Sequence, residues 1–360
     1  MFRLTGTCYR SSLIKQSDIF TPLNEILQRT ILPTAHALEK TIGPAVSILG
    51  HEPSAIRPLD SGKRPGGILF LDPDIVTVII PDLHGRMELL PQFLHLQVPG
   101  PKETSIPFQV GKQKPLIQAL HEKEAQILFL GDYVHAERRA MNRWHIALQE
   151  FLEGYSRHVA MDQEMKENLG TLEMLAILKT YFPDAVHFLK GNHENICDRE
   201  GNGNHPLGKF AYEGQMVTNF ITKFYPPETL QLLDSFESEL PILAVGQNFL
   251  ASHAEPMRMY AKEEVINFRD NPQTIEGLTW TANDEAEPNA VASMLQEYSN
   301  ELPWDDEIQK FYFGGHRPIE GTYNLRANGK YIQLHNPNSG IAAIVSPARQ
   351  FLPDEDIYMI

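Results

Sequence analysis

Five times along this chain, a short apolar run rich in β-formers stops at a residue that can bind a metal. VTVIIP runs into Asp82 and His84 (PDLHG), ILFLG into Asp132 (GDYVH), VHFLKG into Asn192 (GNHE), FLAS into His253 (ASHAEP) and FYFGG into His316 (GGHRP). Runs of this length and composition read as β-strands. The carboxyl ends of strands in an open sheet fan into a crevice where ligands collect. Asp82 and His84 are two residues apart, so in extended backbone their side chains point the same way. Glycines at these junctions, Gly131 and Gly315 among them, permit sharp turns and close backbone approach. A lone Asp-x-His triplet arises by chance and GNHE alone could begin a helix. The ordered ensemble is what carries weight: two carboxylates, three imidazoles and an amide suit a pair of first-row divalent ions.

The pattern between these signatures alternates. Val76–Ile80, Ile127–Leu130 and Ala185–Leu189 read as strands, separated by helices over Arg86–Leu96 and Ala136–Tyr155. Helical segments follow near 207–223 and 227–238. The remainder is strand-rich: Ile242–Val245, Phe249–Ser252, Phe311–Phe313, Tyr331–Leu334 and Ile341–Val345. A βαβαβ half followed by a mostly β half predicts an α/β fold in which two mixed sheets pack as a sandwich with helices outside. We expect an N-terminal extension over residues 1–66, partly helical, and a catalytic domain over 67–360. Pro33 interrupts the helical spacing of Pro22–Lys40, and His51–Gly67 reads as a linker. Two helical or loop-like insertions are expected at about 98–120 and 140–182; the second would either cap the site or pad the sandwich.

Of 360 residues, 42% are hydrophobic and 21% charged, enough for a full core. The apolar runs are too short to cross a bilayer, and the N-terminus has neither the apolar core nor the cleavage site of a secretory signal. Two cysteines, Cys8 and Cys197, fit a reducing compartment, with the cytoplasm as the expectation. A net charge of −15, from 46 acidic against 31 basic residues, argues against broad nucleic-acid binding.

Together PDLHG, GDYVH, GNHE, SHAEP and GGHRP resemble the phosphoprotein phosphatase family of calcineurin-like metallophosphoesterases, over about residues 74–346. The resemblance implies a β-sandwich fold and two divalent metal ions (Mn, Fe or Zn). It implies Asp82 and His84 on the first metal, Asp132 bridging, and Asn192, His253 and His316 on the second. It further implies a hydroxide generated between the ions that attacks phosphorus in line, with His193 as the general acid.

The chain departs from the family pattern in three places. Pro81 replaces the opening glycine of GDxHG. In GDxxDRG, His135 and Ala136 stand where the family has the Asp that supports the catalytic histidine and the Arg that clamps phosphate. No arginine lies between Arg269 and His316, where the family carries another phosphate ligand. His135, Arg139 and Arg143 are spaced by four, so a helix starting near Ala136 would put them on one face. Arg139 and Arg143 are then candidate phosphate donors, and His135 or Glu137 a candidate support for His193. His36, His51, His95, His121, His145, His158, His187, His205 and His335 lie outside the signatures and read as structural or surface residues.

The expected function is a metal-dependent phosphomonoesterase acting on a phosphoprotein or a small phosphoester. A diadenosine-tetraphosphate or other nucleotide hydrolase is the alternative. A binding module that keeps its metals without turnover is a third reading, motivated by the broken GDxxDRG motif.

Overall fold

The computed structural model describes residues 16–360 except 106, 109 and 110. The reading of the extreme N-terminus, with Cys8, therefore lies outside the described residues. Among the described residues thirteen strands follow in chain order: β1 Ile68–Phe70, β2 Val76–Ile80, β3 Gln97–Val98, β4 Lys114–Pro115, β5 Ala125–Phe129, β6 Val186–Phe188, β7 Leu243–Gly246, β8 Phe249–Ala251, β9 Phe311–Gly314, β10 Asn324–Arg326, β11 Tyr331–Gln333, β12 Ile341–Val345 and β13 Ile357–Met359. They form a five-stranded sheet (β13-β12-β2-β5-β6), a six-stranded sheet (β1-β7-β8-β9-β11-β10) and the small β3-β4 ribbon.

The period-2 geometry of a strand sorts the apolar residues between three layers. In the five-stranded sheet, β2 and β5 pair in parallel with Ile79 opposite Leu128. Both side chains point between the sheets, where they meet Ala244, Ala251, Phe313 and Ile332 from the facing sheet. Their neighbours Val78, Ile80, Ile127 and Phe129 point the other way, into a core shared with the outer helices. On the far side of the six-stranded sheet, Leu243, Val245, Leu250 and Tyr312 pack on helices from 262–298. Strands covered on both faces read as unbroken apolar runs, which is why VTVII and ILFL are so uniform. The expected α/β sandwich with outer helices is the observed architecture.

The chain around Pro73 carries the backbone from β1 in one sheet to β2 in the other. The helical spacing broken by Pro33 becomes two helices, Gln16–Gln28 and Ala35–Leu49, the second capped by the Thr34 hydroxyl accepting from the Ala37 amide. Both lie against the long helix Val159–Tyr181, and Leu23, Leu38 and Ile42 are fully buried in the main core.

Residues 51–67, read as a linker, are instead tied down. Arg57 is fully buried and donates to Gly66 O (2.9 Å from Nε), Pro65 O (3.0 Å) and Glu239 O (2.7 Å). Its ion-pair partner Glu52 also accepts from Lys179 (2.6 Å) of the long helix. A Pro- and Gly-rich composition marks irregular backbone; here one arginine satisfies that backbone's buried carbonyls.

Candidate metal centre

Each signature loop leaves its strand at a sharp turn. His84 (φ +46°), Asp132 (φ +54°) and His316 (φ +63°) are non-glycine residues in the left-handed region, a conformation sustained only where surrounding contacts over-determine it. Gly131 (φ +114°) and Gly315 sit where backbone passes closest to neighbouring loops. A Cβ on Gly315 would fall 1.9 Å from Asp82 Oδ1, and one on Gly131 2.5 Å from the Gly191 amide nitrogen.

The loops converge on Asp132, which is 1% exposed. Its Oδ2 lies 3.3 Å from His253 Nε2, 3.6 Å from His84 Nε2 and 3.8 Å from His193 Nε2. His84 Nε2 is also 3.8 Å from Asp82 Oδ2. Asn192 Oδ1 sits 3.0 Å from His253 Nε2 and 2.9 Å from His316 Nδ1. All six sequence-predicted ligands therefore meet, Asp132 between an Asp82/His84 side and an Asn192/His253/His316 side.

The far nitrogens of these rings are fixed as well. His84 Nδ1 faces His135 O (3.0 Å), His253 Nδ1 faces Leu130 O (3.1 Å) and His316 Nε2 faces Trp280 O (3.2 Å). A carbonyl accepts only, so those nitrogens carry hydrogens, and the inner nitrogens are the ones left for a cation, that of His253 once a bound ion displaces its proton. Such outer partners are what metal-bound histidines ordinarily have. The Glu194 carboxylate accepts from the amides of Asp132 (2.8 Å), Tyr133 (2.9 Å) and Gly191 (2.7 Å), joining the GDYVH and GNHE loops.

Electrostatics follow from this crowding. Burial works against the charge on Asp132, but His253, His193 and His84 outweigh it and hold the carboxyl well below its usual range. Burial would likewise discharge His253, yet Asp132 holds its imidazole up to about 9. His316 is pushed well down by burial and by His253, and His193 well down by burial. Imidazole nitrogens and carboxylates facing one another within 4.8 Å form donor groups that could hold metal ions.

His193 projects beside this set. Its amide donates to Asp132 Oδ1 (2.9 Å), and its Nδ1 is 3.3 Å from Nδ1 of His135. His135 thus occupies the place expected for the missing supporting Asp. Burial, with His84 nearby, lowers its pKa to about 3, so it offers a neutral acceptor where the family has a charged one.

The helix expected from Ala136 begins later. A 3₁₀ turn spans Arg138–Ala140 and the α-helix Met141–Leu152, because His135 (φ +62°) and Glu137 (ψ −147°) have non-helical backbone. His135, Arg139 and Arg143 consequently do not share a helical face. Arg139 pairs with Glu167 (2.7 Å) and donates to His84 O (2.9 Å), and Arg143 is forked across Glu164 and Glu167. Arg143 is thus fully engaged by carboxylates of helix Val159–Tyr181, and Arg139 is tethered through its Nη2 to Glu167 of that helix and to His84 O. That helix buttresses the turn rather than standing over it: Asn168 accepts from the His135 amide and Glu164 from the Ala136 amide.

One residue at the centre, His335, escaped the sequence reading, and Glu137, expected there as a possible support for His193, is hydrogen-bonded to His335 instead. His335, fully buried, lies with Nδ1 3.6 Å from Asp82 Oδ2, and Glu137 accepts from its Nε2 at 2.8 Å. The signal was present in YIQLH, a sixth apolar run that ends on histidine at the close of β11.

The calcineurin-like phosphoesterase family model matches residues 75–345. No curated protein matches the sequence. Among solved structures, a protein serine/threonine phosphatase from Saccharomyces cerevisiae with similarity to human phosphatase PP5 is 13% identical, with 96% of this chain and 95% of that one covered at a TM-score of 0.56. A cold-active protein-tyrosine phosphatase of a psychrophilic Shewanella is 14% identical, covering 87% of this chain and 84% of that one at a TM-score of 0.44. At such identities the likeness speaks for the fold alone, but the family model spans three quarters of the sequence, a range that includes every residue gathered around Asp132. The chain belongs to the calcineurin-like phosphoesterase family and is a phosphoric ester hydrolase.

Proposed function

We propose that this protein is a binuclear metal-dependent phosphomonoesterase of the phosphoprotein phosphatase type. The observation that carries the reading is the convergence of Asp82, His84, Asn192, His253 and His316 on one buried carboxylate, Asp132, with outer ring nitrogens held by backbone acceptors. Asp82, His84 and Asp132 would hold one ion, and Asp132, Asn192, His253 and His316 the other. Two bound cations would supply charge neutralisation for the phosphoryl oxygens and an activated water at neutral pH.

The remaining work falls to the chain itself. His193, its Nε2 3.8 Å from Asp132 Oδ2, is the group placed to deliver a proton to the departing oxygen, once the charge of a bound phosphate offsets the burial that discharges its imidazole. His135 stands with its Nδ1 3.3 Å from that of His193 and would orient the ring by accepting an Nδ1–H from it. Glu194 keeps the GDYVH and GNHE loops in register. With Arg139 and Arg143 committed elsewhere, the substrate phosphate would be recognised chiefly by the ions and His193. Such a site suits a compact phosphomonoester, and a reducing compartment such as the cytoplasm fits the sparse cysteines, of which Cys197 is free. No helix among the described residues is long and apolar enough to cross a membrane.

The test is phosphate release from p-nitrophenyl phosphate, phosphopeptides and diadenosine tetraphosphate by protein stripped and reloaded with Mn²⁺, with His193→Ala in parallel. Metal-dependent turnover that collapses in the variant supports the reading, and the panel ranks substrates. Preferential cleavage of the dinucleotide would favour the nucleotide-hydrolase alternative. Two equivalents of bound metal without turnover would favour a binding module.

A further inference from the structure

His335 sits where a structural histidine has little reason to be. It is fully buried beside the Asp82 carboxylate, its ring centroid 5.2 Å from that of His84. Among the described residues its Nδ1 has no hydrogen-bond partner. Leaving a buried ring nitrogen unpaired is costly, and nothing forces it here, since the loop is anchored independently. Arg86 donates to Asp82 O (2.8 Å) and Leu83 O (3.1 Å) on one side, and to Asn336 O (3.1 Å) and Ser339 O (3.0 Å) on the other. One guanidinium thus binds the loop after β11 to the PDLHG loop.

The orientation of the ring is also fixed. Glu137 Oε2 lies 2.8 Å from Nε2, and a carboxylate accepts only, so Nε2 carries a hydrogen and Nδ1 is the nitrogen whose lone pair a cation would take. That lone pair, Asp82 Oδ2 and His84 Nε2 lie within 4.8 Å of one another. Glu137 reaches the same cluster, 3.8 Å from His84 Nε2, and is held from behind by Lys209 at 3.1 Å.

We infer that His335 is an additional protein ligand of the first metal, oriented by Glu137 as a carboxylate–histidine–metal relay. The inference rests on the two-metal reading above. The first ion would then have four protein donors, Asp82, His84, Asp132 and His335, two of them imidazoles, which suits Mn, Fe or Zn. His335 comes from a segment nineteen residues beyond His316 and outside the five signatures, and Pro318 stands two residues after His316 where GGHRP itself offers no second imidazole. The relay also gives Glu137 a use: it positions His335 and touches no substrate.

Metal binding decides the matter without recourse to turnover. Full-length apoprotein is titrated with Mn²⁺ by calorimetry, and Co²⁺-loaded protein is followed by visible absorption, for the parent, His335→Asn and Glu137→Gln. The parent should take two equivalents. His335→Asn should lose one or weaken it by more than about tenfold, leave the other within about twofold, and change the Co²⁺ ligand-field bands of that site alone. Glu137→Gln should weaken the same site by about 10- to 100-fold, the usual cost of removing an outer-shell partner, and it decides the question should His335→Asn fail to fold. Two equivalents with parental affinities and spectra in both variants would overturn the role of His335 while leaving the two-metal reading intact. A parent that takes fewer than two equivalents would overturn both.

Discussion

Replacing Gly131 by alanine tests how tightly the ligand loops are interleaved. The new Cβ would stand 2.5 Å from the Gly191 nitrogen and 2.6 Å from its Cα, where ordinary contact begins at 3.4 Å. Neither obstacle is the movable end of a side chain, so the GDYVH and GNHE loops must part by about 0.9 Å. Those loops carry Asp132, Asn192 and His193. A displacement near 1 Å at a reacting centre costs roughly 10²-fold in rate, or about 2.7 kcal/mol in the barrier. The backbone adds to this, because alanine at φ +114° is strained by about 1–3 kcal/mol. Gly154→Ala is the control: its φ is +65° and nothing lies within 4 Å of its Cβ, so it carries backbone strain without the collision. The assay is kcat for p-nitrophenyl phosphate at saturating Mn²⁺, with urea unfolding of both variants. The expectation is a loss of about 10²-fold in kcat for Gly131→Ala and less than about twofold for Gly154→Ala. A Gly131→Ala enzyme within twofold of the parent at saturating metal would refute the argument.

Other perturbations separate the roles assigned above. His193→Ala should lower kcat by about 10²- to 10⁴-fold with two metals still bound, as read by turnover alongside metal analysis; a loss of metal instead would make His193 a ligand. Chelation should abolish activity and lower the melting temperature, and metal at 100 times its Kd should restore about 2.7 kcal/mol per independent site, measured by calorimetric scans. Arg143→Ala strands Glu164, which is fully buried and whose pKa burial already pushes up to about 7 despite Arg143. Urea unfolding should show a loss of about 3–5 kcal/mol with little change in KM, whereas a phosphate clamp would raise KM strongly. Stability should also fall with acid through Glu52: burial opposes its charge, but Lys179 and Arg57 prevail and lower its pKa. A depressed carboxyl contributes stability above its unfolded value, about 4.3, that is lost as pH falls through the lower folded value. Glu52→Gln should therefore flatten the urea-midpoint profile below about pH 4.3, and an unchanged slope would contradict the assignment.

Strand-end chemistry was the legible part of this sequence. Each ligand follows an apolar run that must be buried, so the sheet positions the ligand whatever the intervening loops do. The arginines were misread for a related reason. Spacing by four has meaning only inside a helix, and the positive φ of His135 with the non-helical ψ of Glu137 delays the helix to Arg138. Nor could spacing reveal Glu164 and Glu167, which lie more than twenty residues away; both grip Arg143, and Glu167 also tethers Arg139. His335 was passed over because LHNP matches no familiar signature, although its place after β11 obeys the same strand-then-ligand pattern. The fixed segment 51–67 was illegible because composition reports irregular backbone and not what satisfies it.

The seam between the sheets has a bearing on how the chain folds. Asp82, His84, Asp132 and Asn192 leave the five-stranded sheet, while His253, His316 and His335 leave the six-stranded one. No strand pairing brings these groups together; only closure of one sheet on the other does, and a slip of one residue would turn every alternate side chain away. Contacts this distant in sequence form slowly, and until they form, the second ligand set does not exist. A cation retained at that seam therefore proofreads the fold, since only chains whose two halves have docked in register can keep it.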